Sequence, residues 1–406
     1  MRFVLISTHV DQTTGYSKVV YNLLRQVSSL APKVKTFHFG FQRHPDRKNI
    51  RKVPENVTGY DAAANEDPRE EGFGFNKIAE YLEMVRPDVV MIYNDPLVIC
   101  KFIEAMKYDK EKSPFKLWLY VDQVYNGVAQ PLVDLMNKSA SIIYCFTKEW
   151  ADIYASYGES PTIKVIEHGL DAAEFTCMSR DQRLSLRRTL KVPTDAVVFL
   201  NANRNSQRKR LDTMIMGFVH LLTKRPRDPL YLMVVTAMNP QQGAFYDIQR
   251  IFINELKMAK LDAEPYAKRL MIVDTAPPNT LSDAQINEIY NMTDIGLNTS
   301  DGEGFGLCQL EHLYTGAPQV VTTVGSYETF LTTAVASFVP PSGLQYFSGS
   351  MPLGFAAPTF SREDVGAAML DAIEKLDDRR AAIRSYPFKS WSKVCDDWLE
   401  DLHRAS

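Results

Sequence analysis

Residues 3–7 form a short apolar run, a polar, glycine-containing loop follows from Thr8 to Tyr16, and then Val19, Val20, Leu23, Leu24 and Val27 recur at helical spacing. Strand, loop and helix in that order predict the opening unit of an α/β sheet. Runs suited to parallel strands return at residues 34–39, 89–93, 117–121 and 142–146, with a helical pattern at 76–85. After the stretch 163–166 comes the turn-rich E-H-G-L-D-A-A-E-F and a charged segment reaching about Val192, which predicts a domain junction. A second α/β series then runs through 197–202, 230–235, 270–273, 295–298 and 319–322. Two successive α/β domains, 1–172 and 173–385, are expected, with ligands bound in the loops beyond the carboxyl ends of their strands.

Length supports that division, because 406 residues exceed what one ordinary core organises. Composition is that of a globular, enzyme-like chain, 45% hydrophobic and 23% charged. A net charge of −3 argues against a protein devoted to nucleic acid. The five cysteines, at 100, 145, 177, 308 and 395, include no C-x-x-C pair. Neither a disulfide framework nor a zinc site is expected, and a reducing, cytoplasmic compartment is the simplest home. The apolar start is too short for a signal peptide, and no run approaches the ~18 apolar residues of a membrane span. Peripheral membrane contact stays open.

The chemistry concentrates in two loops of the second series. S-D-G-E-G-F-G-L-C-Q-L-E-H, residues 300–312, follows a strand-like run and leads into a predicted helix over 305–314. Glycines 302, 304 and 306 let the backbone turn tightly, and a helix start favours an anion. Glu303 and Glu311 would lie roughly 10 Å apart on regular geometry, too far to share a proton but suited to two contacts on one elongated ligand. Alternatively, Glu303 caps the helix and Glu311 is a solvated helical position. The first strand of the same series leads into N-A-N-R-N-S-Q-R-K-R-L-D, whose Arg204 and Lys209 could grip a diphosphate or belong to a solvated basic surface.

With these residues the chain resembles the retaining GT-B glycosyltransferases of family 4, which use nucleotide sugars. E-G-F-G-L-C-Q-L-E matches their E-x7-E signature. Arg204 and Lys209 match the G-R-x-x-x-x-K-G loop, although Arg210 stands where a glycine usually follows the lysine. A-Q-I-N-E-I-Y-N-M-T-D at 284–294, G-A-P-Q-V-V-T at 316–322 and F-K-S-W-S-K-V at 388–394 are similar to the surrounding family segments. The resemblance implies two Rossmann-like domains facing each other across a cleft, with a C-terminal helix at 386–406 completing the N-terminal, acceptor-side domain.

It further implies that Glu303 faces the donor sugar, that Glu311 accepts from ribose hydroxyls, and that Phe305, Gly306 and Leu307 offer backbone amides. Arg204 and Lys209 would neutralise the leaving diphosphate without a metal or cofactor. Gly15, in T-T-G-Y-S, fits a turn near diphosphate and acceptor, or is a routine strand-to-helix turn. Asp122 occupies the position where many relatives carry a histidine; it would bind an acceptor hydroxyl or cap the following turn. His168 matches a structural linker position. Asp274 would meet the base and slightly favours a GDP-sugar such as GDP-mannose over a UDP-sugar, or it forms a turn. The implied reaction, in carbohydrate biosynthesis, moves a hexose from a nucleoside-diphosphate sugar to a hydroxyl of a glycan or other acceptor. A GT-B-like epimerase or phosphorylase, or a non-catalytic sugar-nucleotide binder, are the alternatives.

Overall fold

The first apolar run is covered on both faces, with Phe3, Val4, Leu5 and Ile6 at 0% exposure, as a central parallel strand requires. The computed structural model describes residues 1–43, 51–64, 66, 69 and 71–405. Contacts divide the chain into two units: Met1–Gly169 with Phe347–Ala356 and Lys389–Ser406, and Leu170–Tyr346 with Ala357–Phe388.

The first unit holds β1 (Arg2–Thr8), β2 (Lys35–Phe41), β3 (Val57–Asp61), β4 (Val89–Asn94), β5 (Lys116–Val121), β6 (Ile142–Cys145) and β7 (Thr162–Val165). They form one parallel sheet in the order β3-β2-β1-β4-β5-β6-β7. The second unit holds β8 (Val197–Asn201), β9 (Leu230–Thr236), β10 (Leu270–Asp274), β11 (Ile295–Asn298), β12 (Gln319–Thr322) and β13 (Ala336–Val339). Its parallel order, β10-β9-β8-β11-β12-β13, repeats the plan of the first. Each sheet is therefore doubly wound and Rossmann-like, with its order reversing beside the first strand, at β1/β4 and at β8/β11.

The helices follow the apolar spacing. Gly15–Leu30 buries Val19, Val20, Leu23, Leu24 and Val27, and Thr14 caps it by accepting from the Ser17 amide. In the second unit Leu211–Lys224 packs on Arg362–Glu374, with Phe218, Leu222, Val365 and Met369 in one core. Gly217 permits that approach, since a Cβ there would lie 2.2 Å from Val365 Cγ1. The terminal helix Asp396–Arg404 belongs to the first unit: Trp398 is fully buried edge-on to Phe3, and Asp401 accepts from the Tyr144 hydroxyl at 2.8 Å. Among the described residues no helix is long and apolar enough to cross a membrane.

Three features carry no warning in the apolar pattern. β3 is an edge strand with no fully buried side chain, and β13 is only four residues long. A further hairpin, β14 (Gly343–Tyr346) and β15 (Ala356–Thr359), sends residues 347–356 into the first unit. There Pro352 O accepts from the Ala129 amide at 2.8 Å and the Phe355 amide donates to Asn126 O at 3.0 Å.

Candidate active site

The loop after β8 is shaped by its own asparagines. Asn201 Oδ1 accepts from the Asn203 amide at 3.1 Å, and Asn205 bonds both the amide and the carbonyl of Tyr246. Short amide side chains of this kind bend a loop by replacing backbone partners. The loop ends in a 3₁₀ turn, Gln207–Lys209, and in Arg210, whose φ of 46° and ψ of 49° are left-handed. Such a backbone costs a side-chain-bearing residue about 1 kcal/mol and suits glycine. The glycine of the family pattern thus has its physical reason at this position, and here Arg210 occupies it with its guanidinium held bidentately by Asp212 at 3.0 and 2.9 Å.

The loop after β11 brings Glu303 back against that turn. Its carboxylate is 6% exposed. Oε1 accepts from Lys209 Nζ, from Asn298 Nδ2 at 3.1 Å and from Ser300 Oγ at 2.9 Å. Oε2 accepts from Arg208 Nη1 at 3.0 Å. Burial alone would raise the Glu303 carboxyl, but the Lys209 ammonium and the Arg208 guanidinium outweigh it and hold the group well below the usual carboxylate range. Burial lowers Lys209, with Glu303 pulling it back up. Glu303 is therefore an ionised, buried acceptor. It neither caps a helix nor lies in solvent.

Gly306 starts the helix Leu307–Tyr314 with a φ of +98°, and a Cβ there would lie 2.3 Å from Tyr327 Cε1. Both conformation and space demand glycine. The Tyr327 hydroxyl accepts from Asn298 Nδ2 at 2.5 Å and reaches Gln309 Oε1 at 3.3 Å, tying the turn to the helix. Phe305 is buried and stacks on Phe330 at 4.8 Å. The helix begins at Leu307, two residues later than its apolar pattern predicts, so Glu311 lies one turn in. It is 3% exposed and accepts from the Tyr290 hydroxyl at 3.1 Å, so it is not a solvated position.

Arg204 is exposed and, among the described residues, pairs with no carboxylate. It is left accessible at the carboxyl end of β8, while Lys209 is bound to Glu303. Asp274 ends β10, exposed, with Oδ1 accepting from the amides of Met238 at 3.0 Å and Ala276 at 2.9 Å. Its turn-forming role is thus visible.

No family model matches the chain. A D-inositol 3-phosphate glycosyltransferase of Kribbella flavida is 26% identical over 229 residues, 55% of this chain and 50% of that protein. The chain spans about half or less of the length of the curated relatives it matches. Among solved structures, sucrose-phosphate synthase from Thermosynechococcus elongatus gives a TM-score of 0.72 at 14% identity, over 100% of both chains. An Anabaena protein solved with UDP and glucose gives 0.66 at 13%, again over 100% of both. This chain has the GT-B glycosyltransferase fold.

In the first unit of this GT-B chain, Asp122 follows β5 and donates its amide to Asn94 O at 3.0 Å, and its charge acts on Tyr16 in the helix Gly15–Leu30. Burial, then the charge of Asp122, pushes Tyr16 well above the usual phenol value, so its hydroxyl is neutral. Gly15 opens the helix Gly15–Leu30 and is exposed, with open space where a Cβ would lie. His168 packs on Phe146 at 4.4 Å and on Trp391 at 5.7 Å, with burial lowering it to about 3. Arg208, Asn298, Ser300 and Tyr327 are the site residues that sequence reasoning missed. The signal for Arg208 was its place beside Lys209 in R-K-R; the other three are single polar residues whose convergence needs the fold.

Proposed function

We propose that this chain is a retaining glycosyltransferase that moves a hexose from a nucleoside-diphosphate sugar to a hydroxyl of a glycan or other acceptor. The observation that carries the reading is the buried, ionised Glu303 bound to Lys209 beside the accessible Arg204, at the sheet position where doubly wound domains bind nucleotides. Arg204 and Lys209 take the diphosphate, Glu303 the hexose hydroxyls and Glu311 the ribose. Amides at Phe305, Gly306 and Leu307 supply further donors at the helix start. Bond formation by the acceptor oxygen occurs on the face from which the diphosphate leaves, and the departing phosphate oxygen takes the acceptor proton. Charge on that oxygen is stabilised by the two cations, which gives the step no need of a general base or metal.

Asp122, at the carboxyl end of β5 and close enough to Tyr16 for its charge to act there, orients an acceptor hydroxyl in this reading. For the base, Asp274 has one carboxylate oxygen committed to two backbone amides, which weakens its case for guanine. A structural neighbour was solved with UDP and glucose. We therefore rank a UDP-sugar ahead of a GDP-sugar such as GDP-mannose. A thermal-shift panel of UDP-, GDP- and ADP-sugars tests the donor: a ligand at 100 times its Kd stabilises by about 2.7 kcal/mol. If no nucleotide sugar shifts the transition at millimolar concentration, the donor reading fails. Product analysis then separates transfer with retained anomeric configuration from epimerised sugar or phosphate-dependent cleavage.

A further inference from the structure

We propose that Arg208 is a positioning residue for Glu303, keeping that carboxylate charged and aimed at the donor sugar once the diphosphate has drawn Lys209 away. The proposal rests on the glycosyltransferase reading above. Two cations share one carboxylate here: part-buried Arg208 and buried Lys209 both contact Glu303. A diphosphate competes with Glu303 for these cations, and Lys209, a point charge on a flexible stem, is the partner suited to move to it.

Arg208 is built to stay. Its Nη1 donates both to Glu303 Oε2 and to Gly302 O, and its own carbonyl accepts from the Asp301 amide at 3.0 Å. Side chain and backbone thus clasp the 301–303 turn at three points. When Lys209 leaves Oε1, Asn298 and Ser300 remain there, but both are neutral. Without either cation, those two hydrogen bonds alone would oppose the burial that drives Glu303 toward protonation. Protonated, Glu303 would offer an O–H where sugar hydroxyls need an acceptor. Arg208 supplies the one full charge that keeps it an acceptor throughout.

The test compares full-length wild type with Arg208→Gln, Arg208→Lys and Lys209→Gln, reading UDP affinity by calorimetry and kcat with the preferred sugar donor across pH. Arg208→Gln should keep UDP affinity within about threefold yet lower kcat about thirtyfold at pH 7, a split that marks an interaction made at the reacting sugar. Since a thirtyfold loss at pH 7 by protonation requires it, the acid limb of its kcat profile should rise above pH 7, with activity recovering at still higher pH. Lys209→Gln should instead weaken UDP by about tenfold or more. Arg208→Lys keeps the charge without the fork and should leave the limb in place with kcat down only about threefold. If Arg208→Gln does not fold, this lysine variant decides, and a limb that moves in it overturns the proposal. An unchanged kcat in Arg208→Gln, or a loss equal at every pH, also overturns it. If wild type binds no nucleotide, the functional reading falls first and this proposal with it.

Discussion

The two sheets have the same strand order around their first strands, and their switch-point loops could hardly differ more. In the first unit a single residue, Asp95, separates β4 from the helix Pro96–Ala105, and it is spent on capping, accepting from the Leu97 and Val98 amides. In the second unit residues 299–306 separate β11 from Leu307–Tyr314, with glycines at 302, 304 and 306. The longer turn folds back and places Glu303 on Lys209 and Arg208. The lesson is that topology supplies the location, whereas loop length and glycine placement decide whether ionised groups can converge there. In the first unit the carboxylate proposed to meet the acceptor lies one strand over, Asp122 after β5, with Tyr16 nearby in the helix that follows β1.

The contrast can be broken most sharply at the two carboxylates. Glu303→Ala should lower kcat by at least about a hundredfold. It should also lower unfolding free energy by about 3 kcal/mol, because it takes the carboxylate away from buried Lys209. Asp122→Asn, which keeps a polar side chain of the same shape, should lower kcat by only about tenfold and barely change stability. Equal losses in the two variants would erase the distinction between the units. Glu311→Gln should raise donor Kd about tenfold while kcat changes less than about threefold, as expected for a contact made equally in ground and transition states. A kcat loss matching that of Glu303→Ala would show that both glutamates serve the reacting sugar.

Acid separates the units in another way. Burial lowers His38 and His168 in the first unit, and His312 in the second, to about 3. Below pH 6.5 the unfolded chain takes up protons that the folded chain refuses, so stability is complete above that value and is lost as pH falls toward 3. Between pH 6.5 and 5 each such histidine should remove about 2 kcal/mol. Hydrogen exchange at pH 8 and pH 5 should therefore show a larger loss of protection in β2 and β6 than in β12. Glu303, held well below its ordinary value, keeps its contribution above about pH 4.5 and loses it only at lower pH.

The smallest effect is expected at the loop that departs from the family pattern. Arg210→Gly relieves about 1 kcal/mol of left-handed strain and forfeits a part-exposed ion pair with Asp212 worth about as much. Chemical denaturation should place it within about 0.5 kcal/mol of wild type. A large loss would show that the Arg210–Asp212 pair holds the phosphate loop in shape.

Much of this was written in local pattern. Apolar runs located β1, β2, β4, β5 and β6 in one unit and β8 to β12 in the other, because strands buried on both faces need unbroken apolar sequence. β3 escaped notice because none of its side chains is fully buried, and residues 347–356 because nothing in a hairpin's sequence names the surface it packs on. At the site, Glu303, Lys209 and the glycines stood out by type and spacing. Arg208 did not, since an arginine in R-K-R looks the same whether its guanidinium faces water or a carboxylate 95 positions away.

By itself, then, the sequence determined the alternation of strand and helix, the two-domain plan, the glycine turn before Leu307 and the residue types able to hold an anion. These depend on periodicity and backbone preference, which act over a few neighbours. Tertiary structure alone decided that Asn298, Ser300, Arg208 and Lys209 share one carboxylate, that Arg204 stays accessible, and that Glu311 is buried under Tyr290. Those outcomes depend on which loops the parallel sheet brings to one edge and on how much water it removes from them. No spacing along the chain encodes either.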